Sequence, residues 1–342
     1  AGTAYTFDSG AITGVTGLLK QGSGLLTITS DTHGFTGPVE IQGGELQALY
    51  ISNSGLSSSI GAGSSIILNG GKLTVTEATT QSNDRALTIG VNGGALAGAD
   101  LSTSVTFAGP LSGDGNLSIG GAGRIVLSGA GSRAGTTTVE TGATLEIAGN
   151  ATPGAGAFTL DGTLVVNKSV ATTIASAISG AGKLEKQAAG TLTLPVANSY
   201  AGGTTVAGGA LLMLHPSAAG AGSISQTGGS VRFSFGDGTL TTVANDFSLN
   251  ATGNTTFSVR GTADAAARAD PAPPVLGRDR AGVRTRDTAL CLHLFARAGA
   301  QHAARPGPRR ERQPHCRARR GRGGLRVLRP AIPLRRGGRG RD

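Results

Sequence analysis

The sequence predicts an all-β protein, a parallel β-helix (solenoid) over residues 1–262, followed by a disordered Arg-rich tail over residues 263–342. Three observations lead to this prediction. Gly, Ser and Thr supply 48, 28 and 37 of residues 1–262, a composition that disfavours helices. A short unit built on glycine and leucine recurs through the same stretch. The apolar residues of that unit alternate with polar ones, as they do in a strand.

The short unit is a Gly or Gly-Gly turn, one further residue, and then an apolar residue that begins an alternating strand. The intervals between successive apolar positions are 27, 23, 49, 19, 28, 19 and 20 residues, and Ile125 is the candidate for a missing member within the longest. Spacings of this size are typical of one coil of a solenoid. The eight positions are Leu46, Leu73, Leu96, Leu145, Leu164, Leu192, Leu211 and Val231.

A strand of this kind cannot bury its apolar face by itself. Stacked coils bury a continuous inward column and pair the backbone groups of each coil with the next, so the pattern predicts a stack. At roughly 23 residues per coil, residues 1–262 would form roughly 11 coils. The inward column is expected to include nine residues that hold the structure together: Leu117, Ile125, Leu127, Val139, Leu184, Leu192, Leu194, Val206 and Leu211.

A longer repeat lies on top of the short one. The stretch from Leu117 to Val139 matches the stretch from Leu184 to Val206, and every corresponding position is displaced by the same amount along the chain. Residues 19–41 fit the same template with one deletion. The chain therefore holds three copies of one sequence family.

The copy over residues 178–214 carries the most complete pattern: residues 178–186, then Gly-Thr-Leu-Thr-Leu at 190–194, then Asn-Ser-Tyr-Ala-Gly-Gly-Thr-Thr-Val at 198–206. It resembles the autotransporter-associated β-strand repeat, which is found in passenger domains of bacterial type V autotransporters. Weaker copies cover residues 111–147 and 18–49.

The resemblance implies a right-handed parallel β-helix that is exported across both bacterial membranes and displayed on the cell surface or released. It also implies partners: a host-cell surface or matrix, or other passenger copies, and a membrane β-barrel translocator. Residues 263–342 lack the alternating amphipathic strands and aromatic girdles of such a barrel, so we expect the translocator to be missing from this chain.

The net charge of +10 divides unevenly between the two parts of the chain. Residues 1–262 hold 10 Lys and Arg against 14 Asp and Glu, whereas the tail holds 20 Arg, no Lys and 6 acids. Arg without Lys is typical of a shifted reading frame in a GC-rich gene, so we interpret the tail as out of frame or non-native. The alternative is a basic arm that binds nucleic acid non-specifically through phosphates.

No catalytic, cofactor-binding or metal site is predicted. The 14 acids are scattered through residues 1–262, whereas glycan cleavage needs paired carboxylates. Asp8-Ser9 with His33 is a chance match to a serine protease, and we expect His33 and His215 to be exposed. The cysteines, Cys291 and Cys316, both lie in the tail, where their spacing to nearby histidines fits no usual zinc pattern.

The sequence therefore favours a structural, adhesin-like passenger that is not an enzyme, needs no cofactor and binds no specific nucleic acid. Two alternatives remain open. One is an extracellular hydrolase that acts on polysaccharide or protein from the same scaffold. The other is non-specific nucleic-acid binding through the tail.

Overall fold

A computed structural model describes residues 2–235, 242–249 and 256–261 of the chain. Within these residues every helix or strand assignment is a β-strand, and the strands form a parallel β-solenoid of about 12 turns. The predicted fold class is thereby confirmed for the described part. The tail over residues 263–342 lies outside the described residues, so its disorder and its boundary stay predictions.

The described residues contain 28 strands of two to six residues each. The first fourteen are β1 (Ala4–Phe7), β2 (Leu18–Lys20), β3 (Leu25–Ile28), β4 (Val39–Ile41), β5 (Glu45–Ala48), β6 (Ser65–Leu68), β7 (Lys72–Val75), β8 (Thr80–Asn83), β9 (Ala86–Ile89), β10 (Gly94–Gly98), β11 (Ser104–Phe107), β12 (Leu111–Ser112), β13 (Leu117–Gly121) and β14 (Arg124–Leu127). The others are β15 (Thr137–Val139), β16 (Thr144–Ala148), β17 (Phe158–Leu160), β18 (Thr163–Asn167), β19 (Thr172–Thr173), β20 (Ile178–Ser179), β21 (Lys183–Lys186), β22 (Thr191–Leu194), β23 (Thr204–Val206), β24 (Ala210–Met213), β25 (Ile224–Gln226), β26 (Ser230–Phe235), β27 (Phe247–Leu249) and β28 (Thr256–Gly261).

The strands pair in parallel and form three faces along the solenoid. The first face is the sheet β1-β3-β5-β7-β10-β13-β15-β17-β20, and the second is β8-β11-β14-β16-β18-β21-β23-β25-β27. The third face consists of two sheets, β2-β4-β6-β9-β12 and β19-β22-β24-β26-β28. The chain visits the faces in a fixed order, for example β7, β8 and β9, before it returns to the first face at β10.

The third face is interrupted between β12 and β19. The chain crosses this position twice, at residues 131–135 and 151–155, without forming a strand. Gly131 keeps one isolated parallel bridge to Leu111, and Thr152 Oγ1 donates to Gly131 O at 2.6 Å. We call this stretch the third-face gap.

The register between paired strands shows the length of each coil. Thr191 pairs with Ala210 across one of the shortest coils, whereas Val39 pairs with Ile66 across one of the longest. Within the three repeat copies every coil holds about 20 residues, near the lower end of the range for solenoids. The repeat sequence thus accompanies the shortest and most regular coils.

The three copies lie on different pairs of faces. In the first copy β2 to β5 alternate between the third and first faces, and in the second copy β13 to β16 alternate between the first and second. In the third copy β21 to β24 alternate between the second and third faces. Each copy is therefore turned by one face from the previous one. Equivalent residues of the second and third copies are separated in sequence by three coils of about 20 residues each and a few residues more. Those additional residues carry the chain on to the next face.

All nine residues expected in the inward column lie buried, and none is more than 7% exposed. They belong to one continuous hydrophobic cluster that runs through the solenoid. They occupy all three faces rather than a single column. Leu117 and Val139 lie on the first face, Ile125, Leu127, Leu184 and Val206 on the second, and Leu192, Leu194 and Leu211 on the third.

Glycine is required at the turns because coils approach each other closely there. The second glycine of two Gly-Gly turns, Gly44 and Gly209, has φ of 63° and 62°. A Cβ on Gly209 would lie 2.3 Å from the backbone oxygen of Gly190 in the preceding coil. Both the backbone conformation and the space exclude a side chain at this turn.

Candidate functional site

The residues that match a serine protease by sequence are not arranged for nucleophilic catalysis. Ser9 Oγ lies 3.3 Å from the Asp8 carboxylate rather than at a histidine. His33 was expected to be exposed, and that expectation is wrong: it is 1% exposed, and its Nδ1 accepts a hydrogen bond from Ile12 N at 3.0 Å. Burial lowers the pKa of His33, against an opposing effect of Asp31.

The described part of the chain offers neither a metal-binding cluster nor a membrane-spanning helix. No group of three or more His, Cys, Asp or Glu residues comes together there. Over the same residues, no helix has the length and apolar character needed to cross a bilayer.

Three basic side chains on the solenoid surface are paired with carboxylates. Lys72 Nζ lies 3.1 Å from Glu45, and Lys183 Nζ lies 2.8 Å from Glu185. Arg124 forms an ion pair and a hydrogen bond with Glu146. These pairs are partly exposed, so each contributes little to stability. Because these three cations are already paired, the outside of the solenoid carries fewer unpaired positive charges than its Lys and Arg content suggests.

Five other basic residues are buried: Lys20, Arg85, Arg133, Lys168 and Lys186. Each donates hydrogen bonds to backbone carbonyl oxygens of the turns. A buried cation without a carboxylate is costly unless its donors are satisfied, and turn carbonyls supply that satisfaction here. Alternation places several of these residues at inward positions, which is the sequence signal that could have found them.

Lys20 and Lys186 are equivalent positions of the first and third repeat copies. The ammonium group of Lys20 contacts three turn carbonyls at 2.9 to 3.0 Å, those of Gln21, Gly22 and Gly43. Lys186 makes the same kind of contacts with its own turn and with that of the next coil. Burial lowers the pKa of Lys186. These two lysines therefore act as internal caps of regular turns.

Arg133 and Lys168 differ because they lie together at the third-face gap. Both line a groove of about 620 Å³ that spans the two strandless crossings and β19. Both are only 5% exposed. Burial lowers the pKa of each side chain. No ion pair among the described residues includes either of them.

The Arg133 guanidinium is held by backbone on one side. Its Nη1 contacts three carbonyl oxygens at 2.8 to 3.0 Å, and its Nη2 donates to Thr137 Oγ1. Its Nε is buried and has no hydrogen-bond partner. An unsatisfied donor on a buried cation is rare in folded proteins and calls for a physical explanation.

Lys168 connects the coils across the gap. Its Nζ donates to the carbonyl oxygens of Gly149 and Ala151 at 2.8 and 2.5 Å. An ammonium group has three donors, so these two contacts leave one hydrogen for another acceptor. The lysine thus substitutes for strand pairing at the point where the third face lacks a strand.

The rest of the groove is lined mainly by small apolar residues, with four hydroxyl side chains among them. Ser132, Thr152 and Thr173 are exposed along it, and Asp114 contributes one carboxylate. Pro153 and Val170 add apolar surface. Its charged lining side chains are therefore two cations and one anion. This combination is the strongest candidate for a binding site in the described residues.

Comparison with known proteins identifies the repeats. Residues 18–48, 120–147 and 184–213 match the sequence family described as Passenger-associated-transport-repeat. The chain has the repeats of an autotransporter passenger. The three matched stretches coincide with the three copies found by internal comparison, and so with the three face pairs of the solenoid.

One similar protein carries a function in its name. This chain is 34% identical over 252 residues to the Adhesin BmaC autotransporter of Brucella suis biovar 1 (strain 1330). The match covers 62% of this chain but spans only 7% of the adhesin. No solved structure matches the chain.

Proposed function

We propose that this passenger is a non-catalytic, adhesin-like rod that acts outside the bacterial cell, on its surface or after release. The observation that carries the proposal is the solenoid with passenger repeats together with the similarity to a protein named as an adhesin. The proposed partners are a host-cell surface or matrix, or other passenger copies, with an outer-membrane translocator needed for export.

The architecture supports such a role physically. Each coil contacts mainly its neighbours, so the rod holds its side surfaces at fixed positions over a length of about 12 coils. Binding groups on those surfaces keep their spacing without further support. A rod of this kind presents a binding surface away from the membrane.

Adhesion by the protein itself tests this proposal. Beads coated with the full chain are added to cultured epithelial cells, and retained beads are counted after washing. Beads coated with the Leu194→Asp variant, in which the stack is disrupted, are the matched control. We expect several-fold more retention with the folded chain. Equal retention of the two bead populations would contradict an adhesive role.

A further inference from the structure

The third-face gap is one of several strandless crossings in the described solenoid, and its groove is lined by buried cations. Two buried cations line one groove, neither has a carboxylate partner, and one of them has an unpartnered buried nitrogen. Lys20 and Lys186 also contact turn carbonyls, but neither of them lines this groove. Capping of turns explains those two lysines, whereas it does not account for the pairing of two cations at one groove.

From this arrangement we infer that the groove binds a carboxylate-bearing saccharide. The inference rests on the proposed adhesive function and names the chemistry that one face of the rod recognises. The carboxylate accepts a hydrogen bond from Lys168 in the positive field to which Arg133 contributes, and the sugar hydroxyls contact the hydroxyl groups along the groove.

Charge selects an anion for this position. The third hydrogen of Lys168 is a donor that the protein leaves unused, and the Arg133 guanidinium adds a second positive charge, while its unpartnered Nε is itself shielded within the protein. Hydrogen bonds from a cation to a carboxylate are about twice as strong as neutral ones, and partial burial strengthens them further. Asp114 on the lining opposes the anion, so it limits the affinity rather than creating the site.

The remaining lining selects a sugar among anions. Ser132, Thr152 and Thr173 offer donors and acceptors in the spread that a polyhydroxylated ring can match. Val170, which is 59% exposed, and Pro153 offer an apolar surface for the C–H face of a ring. A volume of about 620 Å³ lies within the range of sites that bind small molecules.

The first experiment compares acidic sugars with neutral partners of the same size. Isothermal titration with the full chain uses 3′-sialyllactose against lactose, and trigalacturonate against its methyl ester. We expect at least one acidic sugar to bind roughly tenfold or more tightly than its neutral partner, with affinity that falls as salt rises. Failure of both acidic sugars to bind overturns the inference.

Three surface variants locate the binding without disturbing a buried group. Thr173→Glu adds an anion to the groove and should abolish binding, whereas Thr159→Glu adds one at an exposed strand position on the first face and should leave it unchanged. Asp114→Asn removes an anion and should raise affinity several-fold. Equal effects of the two glutamates, or no gain with Asp114→Asn, would place the binding elsewhere.

Lys168→Met and Lys186→Met separate ligand binding from stability. Both remove a buried ammonium group that contacts turn carbonyls, but only Lys168 lines the groove. We expect only the first variant to lose sugar binding by roughly tenfold. If both lose it equally, the cations only cap turns.

The bead assay keeps this inference distinct from the proposed function. If the parent chain binds no sugar but Thr173→Glu beads still adhere, sugar binding by the groove is contradicted. The adhesive function then remains supported. If the chain binds sugar but its beads are not retained, the adhesive function is contradicted and sugar binding by the groove remains supported.

Discussion

At the scale of single residues, the solenoid depends on side chains that each contact two neighbouring coils. Leu194 is fully buried on the third face, paired on one side with Met213 of the next coil. Its neighbour Thr193 points outward and is only partly covered. Adjacent residues of one strand therefore differ greatly in what a charge would cost there.

Leu194→Asp should disrupt the stack around β22. A buried carboxylate without a partner costs at least about 4 kcal/mol, whereas the matched control Thr193→Asp should cost less than about 1 kcal/mol. Urea unfolding followed by circular dichroism measures both free energies of unfolding. Leu194→Asp with the stability of the parent chain would refute the stacked interior.

Buried apolar residues were predictable one by one, but buried cations were not. Alternation alone places the nine leucines, isoleucines and valines inside. The same alternation puts Lys168 in phase with Val166, yet hydropathy assigns lysine to the surface. Only the turn carbonyls of the adjacent coil, which the sequence does not show, make its burial favourable.

At the scale of strands and turns, glycine sets how closely successive coils approach. Two turn glycines show the two separate reasons for its use. Gly209 has a positive φ, and a Cβ there would lie 2.3 Å from backbone of the preceding coil. Gly142 has φ of 85°, but a Cβ there would have nothing within 4 Å.

Alanine at these glycines should separate conformational strain from steric conflict. Gly142→Ala should cost about 1–2 kcal/mol for its left-handed backbone alone. Gly209→Ala adds the conflict with Gly190 O and should cost roughly 3 kcal/mol or more. Thermal and urea unfolding of both variants gives the difference. Equal losses would show that the coils do not approach as closely as described.

The irregular intervals of the short unit also have an explanation at this scale. The long interval from Leu164 to Leu192 leads from the second face to the third, and the still longer one from Leu96 to Leu145 leads from the first to the second. Ile125, the suggested missing member, pairs directly with Leu145. The spacing of the short unit in the sequence revealed the coil length. It could not distinguish a longer coil from a step to the next face, because both lengthen the interval between apolar positions.

At the scale of the whole molecule, the repeats wind around the rod instead of stacking directly on one another. The displacement between the second and third copies is not a whole number of their coils, so the third copy is turned by one face. The copies were predictable from internal similarity. Their rotation was not, because the coil length must be known before the displacement can be divided into whole turns and a remainder.

The third-face gap is the strandless side of the second copy, just as the second face is strandless beside the first copy and the first face beside the third. Residues 131–135 and 151–155 form no strand, and the sequence pattern gave no sign of the groove that they line. The two crossings keep their register without forming strands, since Ala155 N donates to Arg133 O at 2.9 Å. A binding site on a strandless side is consistent with a scaffold whose paired strands serve stability.

Spin-label distances test the winding of the chain most directly. In a variant with both native cysteines replaced by serine, cysteine pairs carry labels at Ser118 and Ser179, and at Ser118 and Glu185. The first pair lies on one face, three strands apart, so its backbones are roughly 14 Å apart by strand spacing. The second pair lies on different faces although its members are equivalent in the repeat.

Electron paramagnetic resonance should therefore give a clearly shorter distance for Ser118 and Ser179 than for Ser118 and Glu185. That result would establish both the coil register and the rotation of the repeats. A shorter distance for Ser118 and Glu185, the pair that is equivalent in the repeat, would mean that the copies stack directly on one face. It would contradict the three-faced solenoid described for this chain.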